Sequence, residues 1–228
     1  MTTLSLIFAK EPVPGQVKTR LSPPLRPEDA CRLYHGFIED ILEGMTRLPG
    51  MELALAYAPA GARDFFRHLA PAPVRLVPQE GQDLGERQAR AFAWGFTIGF
   101  ETILLRGCDT PDLPGAILLE AQEKLASGRA EVVLGPSHDG GYYLIGLKAL
   151  YPELFEGLSW STDTVLTDTL NRARKLSLSV HLLPYWPDID TYADLVDFLK
   201  QPHPPRRQGW RSDRIARELL AAIRQLNL

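Results

Sequence analysis

Strand-length apolar runs alternate with stretches of helical periodicity along nearly the whole chain, and this alternation restricts the possible folds more than any other feature. The first run is Leu4 to Ala9. Others follow at Glu52–Ala58, Val74–Pro78, Thr102–Gly107, Glu131–Pro136, Tyr142–Leu147 and Ser179–Leu183. Between most of them lie segments with the spacing of a helix, at about Ala62–Leu69, Leu84–Phe100, Pro114–Ser127 and Thr164–Lys175. The clearest helix starts after Pro27, where Ala30, Leu33, Tyr34, Phe37, Ile38, Ile41, Leu42 and Met45 share one face. Pro27 suits its first turn, and Glu28 and Asp29 sit at the positive end of its dipole. Strands separated by helices of this length imply crossover connections and a largely parallel sheet in an α/β fold. Tyr142–Leu147 follows its predecessor after Gly140-Gly141 without a helix, so it is the strand expected to run antiparallel.

The chain has 228 residues, enough for one domain with a generous core. Residues 1–200 are expected to form that domain. A Pro-rich linker and a terminal helix follow over 201–228, with the linker at Gln201–Gly209 and the helix at about Ser212–Asn227. Ile215, Leu219, Leu220 and Ile223 mark the helix face that must pack on the domain or on another subunit, which leaves a homodimer open. Net charge is −3, from 25 Lys and Arg against 28 Asp and Glu, which argues against a nucleic-acid backbone as partner. Cys31 and Cys108 have neither metal-ligand spacing nor a disulfide framework. The start, Met1-Thr2-Thr3 followed by a largely apolar run of six residues, has no basic stretch and is too short for a signal or membrane helix. A cytoplasmic protein with no membrane partner is expected.

Ligands of open α/β sheets bind at the carboxyl ends of strands, so the loops in those places carry the functional reading. The first, Lys10 to Leu21, contains Lys10, Gly15, Lys18 and Arg20. Gly15 would let backbone approach a phosphate, lysine supplies a point charge, and arginine grips two phosphate oxygens at once. The loop is neither a Walker loop nor a dinucleotide fingerprint.

Acidic residues occupy the later loops. Asp109 follows the strand that starts at Thr102 and suits a hard cation such as Mg²⁺, which takes carboxylate and phosphate oxygens. Asp112 lies close to the next helix start and fits a cap or an outer supporting role. Asp188 and Asp190 are two residues apart, so an extended segment points both to one side, and with Asp109 they are the candidate metal ligands. Asp190 with Thr191 equally suits the start of a short helix. In Ser137-His138-Asp139-Gly140-Gly141 the glycines permit a tight turn or close approach of a ligand, and an acceptor or sugar pocket is expected around His138, Asp139, Gly140 and Gly141.

Five segments, FAKEPVPGQVKTRLSP, GCDTPDLP, GPSHDGGYYLIGL, Trp160–Val165 and PDIDTYADL, together resemble the GT-A nucleotide-diphospho-sugar transferase superfamily. More narrowly, they are similar to radical-SAM/selenodomain-associated glycosyltransferases, and the likeness spans about residues 4 to 200. The Lys18–Pro23 stretch and the Asp-Gly-Gly also resemble 2-phospholactate guanylyltransferase. The resemblance implies a three-layer GT-A fold, mostly parallel with one antiparallel strand. It implies that Asp109 and Asp190 hold Mg²⁺ or Mn²⁺ and that Lys18 and Arg20 meet phosphates. Gln79–Arg87 looks like the loop that meets base or ribose, which brings in Gln79, Gly81 and Asp83. The chain departs from the usual signatures in keeping only Gly15 in its first loop, and in reading Asp109-Thr110-Pro111-Asp112 where a D-x-D is common.

Three functions are compatible with these residues. Glycosyl transfer from a nucleotide-sugar to a small-molecule acceptor would use Asp139 as base, while nucleotidyl transfer to a phosphorylated acceptor would release pyrophosphate and need no protein nucleophile. A non-catalytic nucleotide-binding module needs fewer charged groups than the chain carries.

Overall fold

Strand β1, Thr3–Lys10, is buried along its length except at Lys10, which marks it as an interior strand of the sheet. Its side chains alternate between two separate cores, as the two-residue period of a strand requires. Leu4, Leu6 and Phe8 face one layer, whereas Ile7 and Ala9 face the other. The structure, a computed structural model, describes residues 2–200 and 210–226. The Gln201–Gly209 linker, which includes His203, and Asn227 of the terminal helix lie outside the described residues.

In chain order the elements are α1 (Pro27–Met45), β2 (Met51–Ala58), α2 (Arg63–Leu69), β3 (Arg75–Pro78), α3 (Leu84–Thr97), β4 (Thr102–Arg106) and α4 (Gly115–Ala126). There follow β5 (Val132–Pro136), β6 (Tyr142–Leu147), α5 (Val165–Lys175), β7 (Val180–Leu182), α6 (Tyr192–Lys200) and α7 (Arg211–Leu226). The strands form a seven-stranded sheet in the order β3-β2-β1-β4-β6-β5-β7. β6 is antiparallel to both of its neighbours, and the other pairs are parallel. This is the predicted three-layer arrangement, including the strand expected to run the other way. Helix α3 ends at Thr97, short of the Phe100 expected from periodicity, because Gly99 takes a left-handed backbone (φ 99°).

Phe92 from α3 and Leu166 from α5 fill one core, and α1, α2, α4, α6 and α7 cover the opposite face. Helix α7 packs on α1 of the same chain. Gly36 of α1 leaves room for Ile215, and buried Asp40 accepts hydrogen bonds from Arg211 N (3.0 Å), Ser212 N (2.8 Å) and Ser212 Oγ (2.5 Å). Two free N–H groups of a helix start are thus satisfied by a carboxylate from a neighbouring helix. No helix among the described residues is long and apolar enough to cross a membrane.

From β1 the chain builds outward through β2 and β3, then returns to β4 on the other side of β1. Such a reversal opens a crevice at the carboxyl ends of the two strands. β5 and β7 point the same way as β4, so the loops after β1, β4, β5 and β7 all reach this edge.

Candidate active site

Lys18 is the residue around which the four loops are organised. It enters the short turn Thr19–Leu21 in a left-handed conformation (φ 48°), and this turns its side chain inward, where it is 4% exposed. Its ammonium lies 2.5 Å from Asp109 Oδ1 and 2.7 Å from Asp190 Oδ1, and donates to Ile189 O at 2.6 Å. All three of its protons therefore have acceptors. Burial lowers the pKa of this ammonium, but the two carboxylates more than offset that and the net shift is upward. Asp190 is held below the usual carboxylate range because Lys18 and Arg20 outweigh the upward push of burial. Ile189 N donates to Asp109 O (2.9 Å), which ties the β4 loop to the segment after β7.

Asp139 lines the cleft and is fixed by Ser137 Oγ (2.5 Å) and Gly141 N (2.9 Å), both donating to Oδ1. Asp188 is half-buried beside it. Burial, Asp139, Asp190 and Asp109 together push its carboxyl up to about 6. Asp109 and Asp190 thus grip one buried ammonium, the exposed Arg20 also reaches Asp190 (Nη1 3.3 Å from Oδ2), and Asp139 and Asp188 line the adjoining cleft. This surplus of negative oxygen fits a hard divalent cation in donor type. Among the described residues no three His, Cys, Asp or Glu side chains converge as a cage. A Mg²⁺-like ion needs only one or two carboxylates together with phosphate oxygens and water, and Asp109 and Asp190 match that demand.

Three cavities adjoin here, and Asp109 lines all of them. A basin of about 300 Å³ holds Lys10, Lys18 and Arg20. A second, of about 290 Å³, lies over the ends of β1 and β4 and includes Tyr34, Gln79 and Gln88. The third, about 260 Å³, is bounded by Asp139, Asp188, Tyr142, Trp160 and Thr162.

The predicted site residues divide accordingly. Lys10, Lys18, Arg20, Gln79, Asp109, Asp139, Gly141, Asp188 and Asp190 line these cavities. Asp188 and Asp190 do face one side, as their spacing implied. Gln79 is anchored by Nε2, which donates to Ala56 O (2.7 Å) and Ala9 O (3.2 Å). Others do not line them. Gly15 serves a turn (φ 75°) with open space beside it, and the basin wall begins at Gln16. Gly81 (φ 140°) packs against the start of α3, and Asp83 caps that helix by accepting from Glu86 N at 2.8 Å. His138 points away and stacks on Tyr185, with ring centroids 5.6 Å apart. Gly140 (φ 86°) supports the cleft from behind, since a Cβ there would overlap the Asp163 backbone. Asp112 does not cap α4. It is buried and accepts from Trp186 Nε1 at 3.1 Å, because the chain turns at Pro114 before the helix begins.

Sequence reasoning missed Arg106, which is fully buried and donates to Gly107 O, Thr110 O and Thr110 Oγ1, holding the loop that carries Asp109. It also missed the aromatic wall. Trp160 stands edge-on to Tyr142 (6.4 Å, 83°), whose hydroxyl donates to Gln88 Oε1 at 2.8 Å. An isolated tryptophan before a helix was the available signal.

The family described as an uncharacterized protein conserved in bacteria, DUF2064, matches over residues 41–162, more than half of the chain. No curated protein matches the sequence. A candidate nucleotide-diphospho-sugar transferase from Desulfovibrio desulfuricans G20 is 33% identical, with 99% of this chain and 98% of that chain covered and a TM-score of 0.91. Two more distant structures share the fold. CMP:2-keto-3-deoxy-manno-octonic acid synthetase complexed with CTP is 10% identical over 87% of this chain and 97% of its own, with a TM-score of 0.57. Rv0371c from Mycobacterium tuberculosis H37Rv in complex with manganese is 16% identical over 89% and 100%, with a TM-score of 0.51.

Proposed function

This chain belongs to the DUF2064 family, and we propose that it is a transferase moving a sugar from a nucleotide-sugar to a small-molecule acceptor with the aid of Mg²⁺ or Mn²⁺. The observation that carries this reading is the change of polarity across Asp109. On one side lie Lys10, Lys18 and Arg20, and on the other lie Asp139 and Asp188 with hydroxyls and aromatic rings. A diphosphate suits the first compartment and an uncharged ring suits the second, so the bond between them would fall beside Asp109. The manganese complex of Rv0371c, which shares the fold, accords with a divalent ion here.

In an inverting transfer the acceptor hydroxyl oxygen bonds to the anomeric carbon while its proton passes to Asp139. The bond from that carbon to the diphosphate oxygen breaks, and the nucleoside diphosphate leaves. Lys10 and Arg20, on the cationic basin, would hold the departing phosphates, Lys18 spaces Asp109 and Asp190, and Ser137 and Gly141 N fix Asp139. A divalent ion bound by Asp109 and Asp190 would neutralise charge on the diphosphate. Gln79 and Gln88 stand in the compartment suited to base and ribose.

Nucleotidyl transfer is the second reading. The cationic basin suits a triphosphate as well, and the synthetase of the same fold binds CTP. Products separate the two, since nucleoside diphosphate marks glycosyl transfer and pyrophosphate marks nucleotidyl transfer. A thermal-shift panel of nucleotide-sugars and NTPs with Mg²⁺, Mn²⁺ or EDTA tests the binding step. A ligand at a hundredfold its Kd stabilises by about 2.7 kcal/mol, or roughly 5–10 °C at this chain length. Metal-dependent shifts with nucleotide-sugars are expected, and a panel without any shift overturns the reading.

A further inference from the structure

We propose that the cleft beside Asp139 accepts a cyclic polyol, a sugar or cyclitol ring that is neutral or bears an amine, and rejects acceptors carrying phosphate or carboxylate. The proposal rests on the glycosyl-transfer reading and goes beyond it by naming the acceptor's chemical class.

Charge is the first argument. Among the described residues, none that lines this cleft is Lys, Arg or His, while Asp109, Asp139, Asp188 and Asp190 all do. Lys18 and Arg20 belong to the basin on the other side, and their contacts within the site go to Asp109 and Asp190. An anionic acceptor would meet Asp139 and Asp188 without a cation to answer it, and such like-charge contact is strongly disfavoured.

The walls supply the second argument. Trp160 and Tyr142 meet nearly at right angles, and Leu84 and Val165 extend the apolar surface beside them. The indole's Nε1–Cζ2 edge is turned against Gly85, where a Cβ would lie 2.7 Å from Nε1. Nε1 is buried there without a hydrogen-bond partner, so the indole offers the cleft carbon rather than a donor. The same cleft is lined by Ser137, Ser161 and Thr162 and by the two carboxylates. Apolar surface and oxygen acceptors in one cleft match a sugar ring, which has C–H groups on its faces and hydroxyl donors around its rim. Ser161 takes a left-handed backbone (φ 64°) next to Trp160, Thr162 Oγ1 donates to Ser159 O (2.6 Å) and Ser137 Oγ donates to Asp139 Oδ1, so the Thr162 and Ser137 hydroxyls are held by bonds within the wall.

Saturation-transfer NMR on the full-length protein tests the proposal with matched probes. Glucose, galactose and mannose serve as neutral rings, glucosamine as a cation and glucose 6-phosphate as an anion. At least one neutral ring and glucosamine are expected to bind, with glucose 6-phosphate at least about tenfold weaker than glucose. Trp160→Ala is expected to lose the signal, and Trp160→Phe, which keeps a flat face, to retain it. Glucose 6-phosphate binding as tightly as glucose overturns the proposal, as does the absence of binding by every probe or an unchanged signal in Trp160→Ala. Nucleotide-sugar binding measured on the same sample fails only if the transferase reading fails, so the two failures are distinguishable.

Discussion

Lys18 and Asp190 meet at 2.7 Å across most of the length of the chain, and through this contact the first loop and the last loop of the sheet edge become one site. The same ammonium reaches Asp109, so one buried cation sets the spacing of both candidate metal ligands. Lys18→Ala leaves a half-buried Asp190 without its main partner. Breaking a buried pair costs about 3–5 kcal/mol, and the low end is expected because Asp109 keeps half of its side chain in water. Urea denaturation reads the loss. Nucleotide affinity in the same variant is expected to fall by at least about tenfold, roughly 1.4 kcal/mol, because Asp109 and Asp190 lose the cation that spaces them. Unchanged affinity would show that the ligand site does not depend on that spacing.

Asp188 gives stability an unusual pH dependence. Its carboxyl sits at about 6 in the folded chain against an ordinary value of 3.8. The folded state therefore holds its proton more tightly than the unfolded state, and stability falls as pH rises from about 4 through 6. Asp188→Asn removes the penalty. The variant should match the parent near pH 4 and exceed it at pH 7, as seen in midpoints of denaturation measured across that range. A parent curve that is no steeper than the variant's between pH 4 and 6 would show that Asp188 is not strained by its neighbours.

Much of the fold could be read from periodicity, since buried strands here are short apolar runs and each amphipathic helix lies on a single face. The direction of β6 was legible for a simple reason: Gly140-Gly141 leaves no chain length for a crossover. Charged site residues were legible because they follow strands, and their loops share one sheet edge. Trp160 was not, because its role depends on Gly85 and Tyr142, which are brought beside it only by the fold. His138 was misplaced for the opposite reason. It adjoins Asp139 in sequence, but in the turn after β5 its ring stacks on Tyr185 while Asp139 is bonded to Ser137 Oγ and Gly141 N. Asp83 with Glu86 has the spacing of a capping box, a local signal that the likeness to a base-binding loop obscured.

That capping role separates structure from binding at the entrance of α3. Asp83→Ala is expected to cost about 1 kcal/mol of stability, the usual loss for a helix cap, and to leave nucleotide affinity unchanged. Calorimetric titration beside a melting curve resolves the two quantities. A loss of affinity with no loss of stability would return Asp83 to the ligand.

Arg106 is expected to affect both quantities. Its guanidinium is fully buried, and burial brings its pKa down to about 10, so it stays charged at neutral pH. The hydrogen bonds to Gly107 O, Thr110 O and Thr110 Oγ1 close the loop around Asp109. Buried Asp112 lies among the charges that act on this guanidinium, so removing the cation alone leaves a carboxylate uncompensated in the interior. Arg106→Met is therefore expected to lose stability as Lys18→Ala does. The loop oxygens also lose their common donor, and Asp109 is no longer held in register with Ile189 N and Lys18. Metal-dependent nucleotide affinity is expected to drop by about tenfold or more, together with the melting temperature. Hydrogen exchange should rise at residues 107–113 and stay constant in β1. If instead affinity holds while the whole sheet loosens, Arg106 acts through the core, and the loop after β4 is kept in place by other contacts.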